Sequence, residues 1–275
     1  PPYTSSAASD VYKRQVPIIW LLSIAGAVVF GAAWAFIPAY LQATRGSHVV
    51  ITTIMFNFIA ASLMVFLLVD VIRDTAQMGP HTVALPKEQW FPSFKDFAGL
   101  FGIKIRYSPL NISFLLAIAA SVFVWFLVWK TRWGYEMRAV GHNTQAAIYA
   151  GISPYKNIII AMCISGGLAG LLGVNEILGV HHKIVAGFPA GYGFTGIAVA
   201  LMGRNHPIGI FPAAFLFGIL YQGGSEVTFD MPNITRYMFV AVQGVIILFS
   251  GALENLFRPQ IESFFVNRLN IKASA

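Results

Sequence analysis

The chain holds a single cysteine, Cys163, set in an apolar run. One thiol excludes a disulfide framework and a cysteine-rich metal site, and it reads as a packed side chain. Charge is scarce too. Only 11% of the 275 residues are Asp, Glu, Lys or Arg, against about 25% in a soluble domain, so lipid is the solvent for most of the surface. The net charge of +7 is scattered through loops. Without a clustered basic face and stacking aromatics, nucleic acid is excluded as a partner. No Gly-x-x-x-x-Gly-Lys-Ser/Thr sequence is present, so the chain does not cradle nucleotide phosphates in that way. The histidines and carboxylates are too dispersed for a convergent acid, base or metal set, and neither a catalytic residue nor a metal site is assigned. His181-His182-Lys183 does not alter this, because adjacent histidines point differently and nothing completes four ligands.

The first fifteen residues, PPYTSSAASDVYKRQ, contain no initiator Met and no signal-peptide order of charge, apolar stretch and cleavage site. Residues 1–15 are therefore expected to be a non-native or disordered leader. A membrane domain is expected over 16–257 and a cytoplasmic tail over 258–275, with the amino terminus truncated and further spans upstream.

Long apolar runs are what the sequence has in quantity. Val49 to Val69 carry no charge, and similar stretches lie at Val16–Thr44, Pro109–Trp129, Ile158–Asn175, Pro207–Gly223 and Tyr237–Leu253. A helix needs roughly 20 apolar residues to cross a hydrocarbon core about 30 Å thick. Backbone in lipid must satisfy itself, and continuous rather than alternating runs select helices over a barrel. The expected fold is all-α: a polytopic transmembrane bundle of about six to seven spans. Gly187–Gly203 is short and glycine-rich, and it either crosses or re-enters on the same side.

Orientation follows from charge. The loop Lys130–Lys156 carries Lys130, Arg132, Arg138 and Lys156 against Glu136, which places it in the cytoplasm. The balanced, proline-containing stretch Ile72–Ser108 then lies outside. In one span Gly166-x-x-x-Gly170 and Ala169-x-x-x-Gly173 give the small-residue spacing by which membrane helices approach closely.

The loop at 131–156 is too organised to be a tether. Asn143 is a good N-cap, the residues from Thr144 to Ala150 favour helix, Gly151 suits the left-handed position after the last turn, and Pro154 stops continuation. So short a helix is marginal alone. Ala146, Ala147 and Ala150 would offer it a small-residue face, with Ile148 and Tyr149 projecting beside it, for a groove on a cytoplasmic protein or for its own bundle. On the first reading, Ala147→Arg uncouples the partner and leaves insertion intact.

These residues also carry a resemblance. Gly141-x-Asn143-x-x-Ala146-Ala147-x-x-x-Gly151-Ile152, Ser165-Gly166-x-Leu168-Ala169-Gly170, the Val50–Ala60 stretch, Gly173-x-Asn175-Glu176-x-Leu178-Gly179 and Gly191–Leu201 together resemble permease subunits of ATP-binding-cassette importers. The nearest branch is that of simple-sugar, nucleoside and branched-chain amino acid permeases, with the first two closest. Ser47 and His48 depart from it, since many relatives carry an acidic residue there. The resemblance implies a multi-pass protein of the prokaryotic plasma membrane that moves a small polar solute inward. It implies three partners: a cytoplasmic ATP-binding subunit, a second permease and an extracytoplasmic solute-binding protein. Gly141, Asn143, Ala146, Ala147 and Gly151 would form the coupling loop. The chain would bind no cofactor of its own, and ATP would be used by the partner.

Polar residues inside the runs are the pathway candidates. Glu176 is the sharpest, because a charge at the bilayer centre costs roughly 2.5–3.5 kcal/mol unless it faces a cavity or partner. Asn175, Asn57 and Gln243 could hydrogen-bond a hydroxylated solute or hold helices together. Glu176 could instead bond a neighbouring helix or His181. Gly191-x-Gly193-x-x-Gly196 is not a dinucleotide fingerprint, for it lacks the strand–turn–helix setting and the later acidic residue; it suits the start of a broken helix. A secondary transporter or channel driven by an ion gradient is the rival reading, and it would want ionisable residues deep in several spans.

Overall fold

A computed structural model describes residues 6–73, 79–94, 110–188, 191–231, 238–246 and 248–249. The tail at 258–275, and Lys95, Asp96, Lys104 and Arg106 of the loop expected outside, lie outside the described residues. So do parts of the Tyr237–Leu253 run.

The protein is a helical membrane bundle. Its helices are α1 (Ser6–Arg45), α2 (Val49–Phe66), α3 (Ser113–Lys130), α4 (Arg132–His142), α5 (Thr144–Tyr149), α6 (Pro154–Val174), α7 (Tyr192–Met202) and α8 (Pro207–Asp230), followed by α9 over 238–246. β-Pairing among the described residues is confined to two isolated bridges, His81–Val185 and Ser93–Asn111. Helices α2 and α6 each end in a wider i→i+5 turn, Leu67–Val71 and Asn175–His181. Among the described residues, five segments are long and apolar enough to cross a membrane: Val16–Arg45, Val49–Val71, Ser113–Lys130, Pro154–His181 and Pro207–Phe229. Their apolar side chains are largely exposed, as suits helices solvated by lipid or by other helices.

The first unit runs to Ala190, and its backbone is the pairing of α1 with α6. Gly31 meets the carbonyl of Gly166, Ala35 lies against Gly166, Val28 against Gly167, and Ala27 against Gly170. Numbers fall on α1 as they rise on α6, so the two helices are antiparallel. Of the two small-residue motifs on α6, Gly166-x-x-x-Gly170 forms the contact, whereas a methyl group on Gly173 would meet nothing within 4 Å. The partner face is Ala27, Gly31 and Ala35, again at four-residue spacing. Further along, Trp20, Ile24 and Ala27 pack on a cluster of Phe91, Val174 and Leu178. Trp34 of α1 meets Phe56 of α2 edge to face at 6.0 Å.

A tight corner joins α3 to α4. The Thr131 hydroxyl donates to the Leu127 carbonyl at 2.6 Å and accepts from the Gly134 amide at 3.2 Å. Gly134 backs onto the Leu127 and Val128 carbonyls, where a side chain would collide.

The second unit begins at Gly191. Gly191 is left-handed (φ 84°) and opens α7, as its place at the start of a helix suggested. At about 1.5 Å per residue, eleven residues span only about 16 Å, half the hydrocarbon core. Helix α7 therefore does not cross unaided. It turns through Gly203–Asn205 and packs on α8 through Ala198, Val199, Ala213 and Phe217. Gly203 and Gly209 sit so close that neither could carry a side chain without displacing backbone.

Candidate functional site

Helix α6 carries a candidate site at each end. Its 21 α-helical residues set them about 30 Å apart.

At the first end stands α5. The Asn143 side chain accepts the amides of Gln145 and Ala146 at 3.0 and 3.1 Å, so two otherwise orphan donors are satisfied. At the other terminus Gly151 is left-handed (φ 77°). Its amide bonds the Ile148 carbonyl and the Ile152 amide bonds that of Ala147, both at 2.9 Å, the paired closure that glycine permits. Pro154 then starts α6. The cap, stop and restart fall on the residues that their chemistry indicates.

The small-residue face does not form as expected. Ala147 is 3% exposed and turned into its own unit, while Ala146 and Ala150 are exposed. The outward face carries Ile148, 51% exposed, and Tyr149, 92% exposed, the two side chains expected to project beside the alanines. An arginine at Ala147 would therefore have to enter the packed interior, so that change tests the fold of the loop rather than a docking surface. Gly141 is exposed at the end of α4, with open space around its Cα.

At the far end of α6 lie Asn175 and Glu176, inside the i→i+5 turn. Glu176 is 6% exposed. One carboxylate oxygen accepts from the Asn175 side-chain amide at 3.1 Å. The other lies 3.5 Å from Nε2 of His181. The wide turn makes that pair, because residues five apart on an α-helix point about 140° away from each other. Of the three pathway candidates in the first unit, Asn175 and Glu176 are brought together. Asn57 is exposed midway along α2 and makes no hydrogen bond to the pair among the described residues; Gln243 is half-buried on α9 in the second unit.

Sequence reasoning missed what covers this end. Residues 79–94 fold back over it. The Thr82 and Leu85 amides bond the Ile184 and His182 carbonyls at 3.2 and 2.8 Å, and the Phe91 amide bonds that of Leu178 at 2.9 Å. Trp90 stacks on His182 with ring centres 3.6 Å apart and planes within 4°. Trp20 of α1 ties the strap down by donating to the Gln89 carbonyl at 2.8 Å. Burial lowers the proton affinity of His182, as does neighbouring His181, against an opposing contribution from the Leu178 backbone. The available signal was the Trp90-Phe91-Pro92 run, two large aromatics in a loop otherwise read as irregular.

A bundle of apolar helices, with a capped six-residue helix at one end of a long span and a shielded carboxylate at the other, is the architecture of an integral membrane protein. The chain belongs to the family described as branched-chain amino acid transport system, permease component, which matches residues 3–251. It is 36% identical over 233 residues to the guanosine ABC transporter permease protein NupP of Bacillus subtilis, covering 83% of this chain and 63% of that one. It is 35% identical over 239 residues to the nucleoside ABC transporter permease protein NupB of Lactococcus lactis, covering 83% and 62%. Against the glucose ABC transporter permease protein TsgB13 of Haloferax volcanii the figures are 32% over 268 residues, 96% and 69%. The chain thus spans less than two thirds of the length of the first two relatives. No solved structure matches it.

Proposed function

We propose that the chain is the membrane-spanning permease subunit of an ATP-driven importer in the prokaryotic plasma membrane, carrying a nucleoside or simple sugar inward by alternating access. The observation that carries the reading is α5. A helix too short to hold itself is fixed at one end by the Asn143 side chain and at the other by backbone hydrogen bonds, keeps one alanine for its own unit, and turns Ile148 and Tyr149 outward. An aromatic presented in this way is the usual anchor of a protein interface. We read Gly141–Gly151 as the coupling loop that sits in a cytoplasmic ATP-binding subunit, consistent with the basic residues around it.

Solute would be delivered by an extracytoplasmic binding protein and pass between this chain and a second permease. The chain needs no cofactor for this, because ATP is used by the partner. Support for the solute class comes from the relatives, whose names specify guanosine, nucleoside and glucose. Asn175 and Glu176 would be met at the outer end, where the amide can donate to and accept from hydroxyls and the carboxylate can accept from them. A pathway of this kind binds weakly, since a tight site would not release.

The test is reconstitution with the ATPase and the second permease encoded beside its gene. Uptake of labelled guanosine or glucose should require ATP hydrolysis. Uptake driven by a proton or sodium gradient alone would overturn the proposal in favour of a secondary transporter.

A further inference from the structure

We infer that residues 79–94 are a clamp that holds the last turn of α6 in its wide form, and that opening the clamp separates Glu176 from His181. The inference is drawn from the first unit's own contacts and stands whether or not the importer reading does.

The wide turn is an uncommon local state that tends to occur at functional positions, and here it is held from outside. In a continuing α-helix the Leu178 carbonyl would take the His182 amide. Here it takes the Phe91 amide at 2.9 Å, so the strap competes for the acceptor that a tighter turn would use. His182 ends the turn in the left-handed region (φ 55°), a conformation costly for a residue with a side chain unless its surroundings over-determine it. The strap supplies that determination twice: Leu85 bonds the His182 carbonyl at 2.8 Å, and Trp90 stacks on its ring. Nδ1 of His182 is buried, and the stack on Trp90 holds the plane of the ring. The strap is fastened to α1 through Trp20, which bonds Gln89 and meets Phe91 edge to face at 5.5 Å. It is fastened to the start of α3 through Phe94, whose amide bonds Leu110 at 2.7 Å.

Remove those restraints and the turn is free to tighten to i→i+4. Residues five apart then diverge by about 140°, and the 3.5 Å Glu176–His181 contact is lost. Trp90 and Phe91 are thus positioning residues for the carboxylate. They link the attitude of an outer loop to the state of a buried acid, in two discrete arrangements rather than a continuous drift.

The experiment uses the full chain in lipid nanodiscs, with Glu176 and His181 isotopically labelled for solid-state NMR, and hydrogen exchange read in parallel. Wild type should show dipolar coupling between the Glu176 carboxyl carbon and the His181 imidazole nitrogen. Trp90→Ala should lose that coupling and speed exchange of amides 177–184 by roughly tenfold, with amides 158–170 unchanged. Trp90→Phe, which keeps a ring for His182, should retain both. A disulfide between Thr82→Cys and Ile184→Cys, in a Cys163→Ala background, should restore the coupling to Trp90→Ala, and this arm decides the matter should Trp90→Ala alone lose protection along all of α6. Retention of the coupling in Trp90→Ala, or its loss even with the strap locked, overturns the inference.

Discussion

Gly31 of α1 and Gly166 of α6 face each other so closely that a methyl group on either would strike the other's carbonyl. Contact of this kind replaces the hydrophobic effect in lipid, where apolar side chains gain little by leaving the solvent and close backbone packing drives association. It fixes the antiparallel pairing of α6 with α1 and so sets where the two ends of α6 stand.

A β-branched side chain at this crossing should be costly. Gly31→Val or Gly166→Val is expected to destabilise the helix pair by about 1–3 kcal/mol, the range for overpacking a filled interface. Gly173→Ala, with open space around it, should leave stability unchanged or raise it by up to about 1 kcal/mol, the helix preference of Ala over Gly. Reversible unfolding in mixed micelles checks both. Equal losses at Gly166 and Gly173 would contradict the assigned interface.

The ends of α5 should be separable from its outward face. Asn143→Ala removes the acceptor for two amides and should cost about 1 kcal/mol of local stability. Gly151→Ala forces a side chain into the left-handed region and should cost about 1–2 kcal/mol. Both changes should appear as faster exchange at amides 145–150. Ala147→Arg should do more damage than either, because the site is packed. Tyr149→Ala should leave exchange as it is, since that ring makes no interior contact to lose.

Stability should depend on pH through His182. Burial lowers its pKa below the ordinary 6.5, so the folded protein resists a proton that the unfolded chain accepts. The contribution of His182 is therefore intact above about pH 6.5 and is lost as pH falls below that value. The sign is that of a neutral imidazole held in a stacked site. His182→Asn, a residue that tolerates left-handed backbone, should flatten the fall in unfolding temperature between pH 7.5 and pH 5. An unchanged slope would remove His182 as its source.

Much of this was legible from residue types. The apolar runs, the cap at Asn143, the left-handed Gly151 and the break at Pro154 are local events, decided within a few residues by hydrogen bonding and backbone sterics. Glu176 was legible because a charge in an apolar run demands a reason. What escaped depended on contacts far apart in sequence. Periodicity does not reveal that a loop residue such as Trp90 stacks on His182, ninety-two positions later. The inward turn of Ala147 was illegible for a related reason: three alanines alone do not say which of them meets the bundle. The face formed by Ala27, Gly31 and Ala35, by contrast, was open to reading at the same four-residue spacing as Gly166 and Gly170.

The central claim, that α5 transmits force from a separate motor, is tested most directly at Tyr149. The chain is co-purified with the ATPase encoded beside its gene, and Tyr149→Arg is compared with wild type for both ATPase retention and ATP-driven uptake. The account predicts that Tyr149→Arg inserts and folds normally, loses more than about 2 kcal/mol of ATPase binding, as expected for a buried aromatic anchor, and loses uptake with it. A Tyr149→Arg protein that holds its ATPase and transports at the wild-type rate would contradict it.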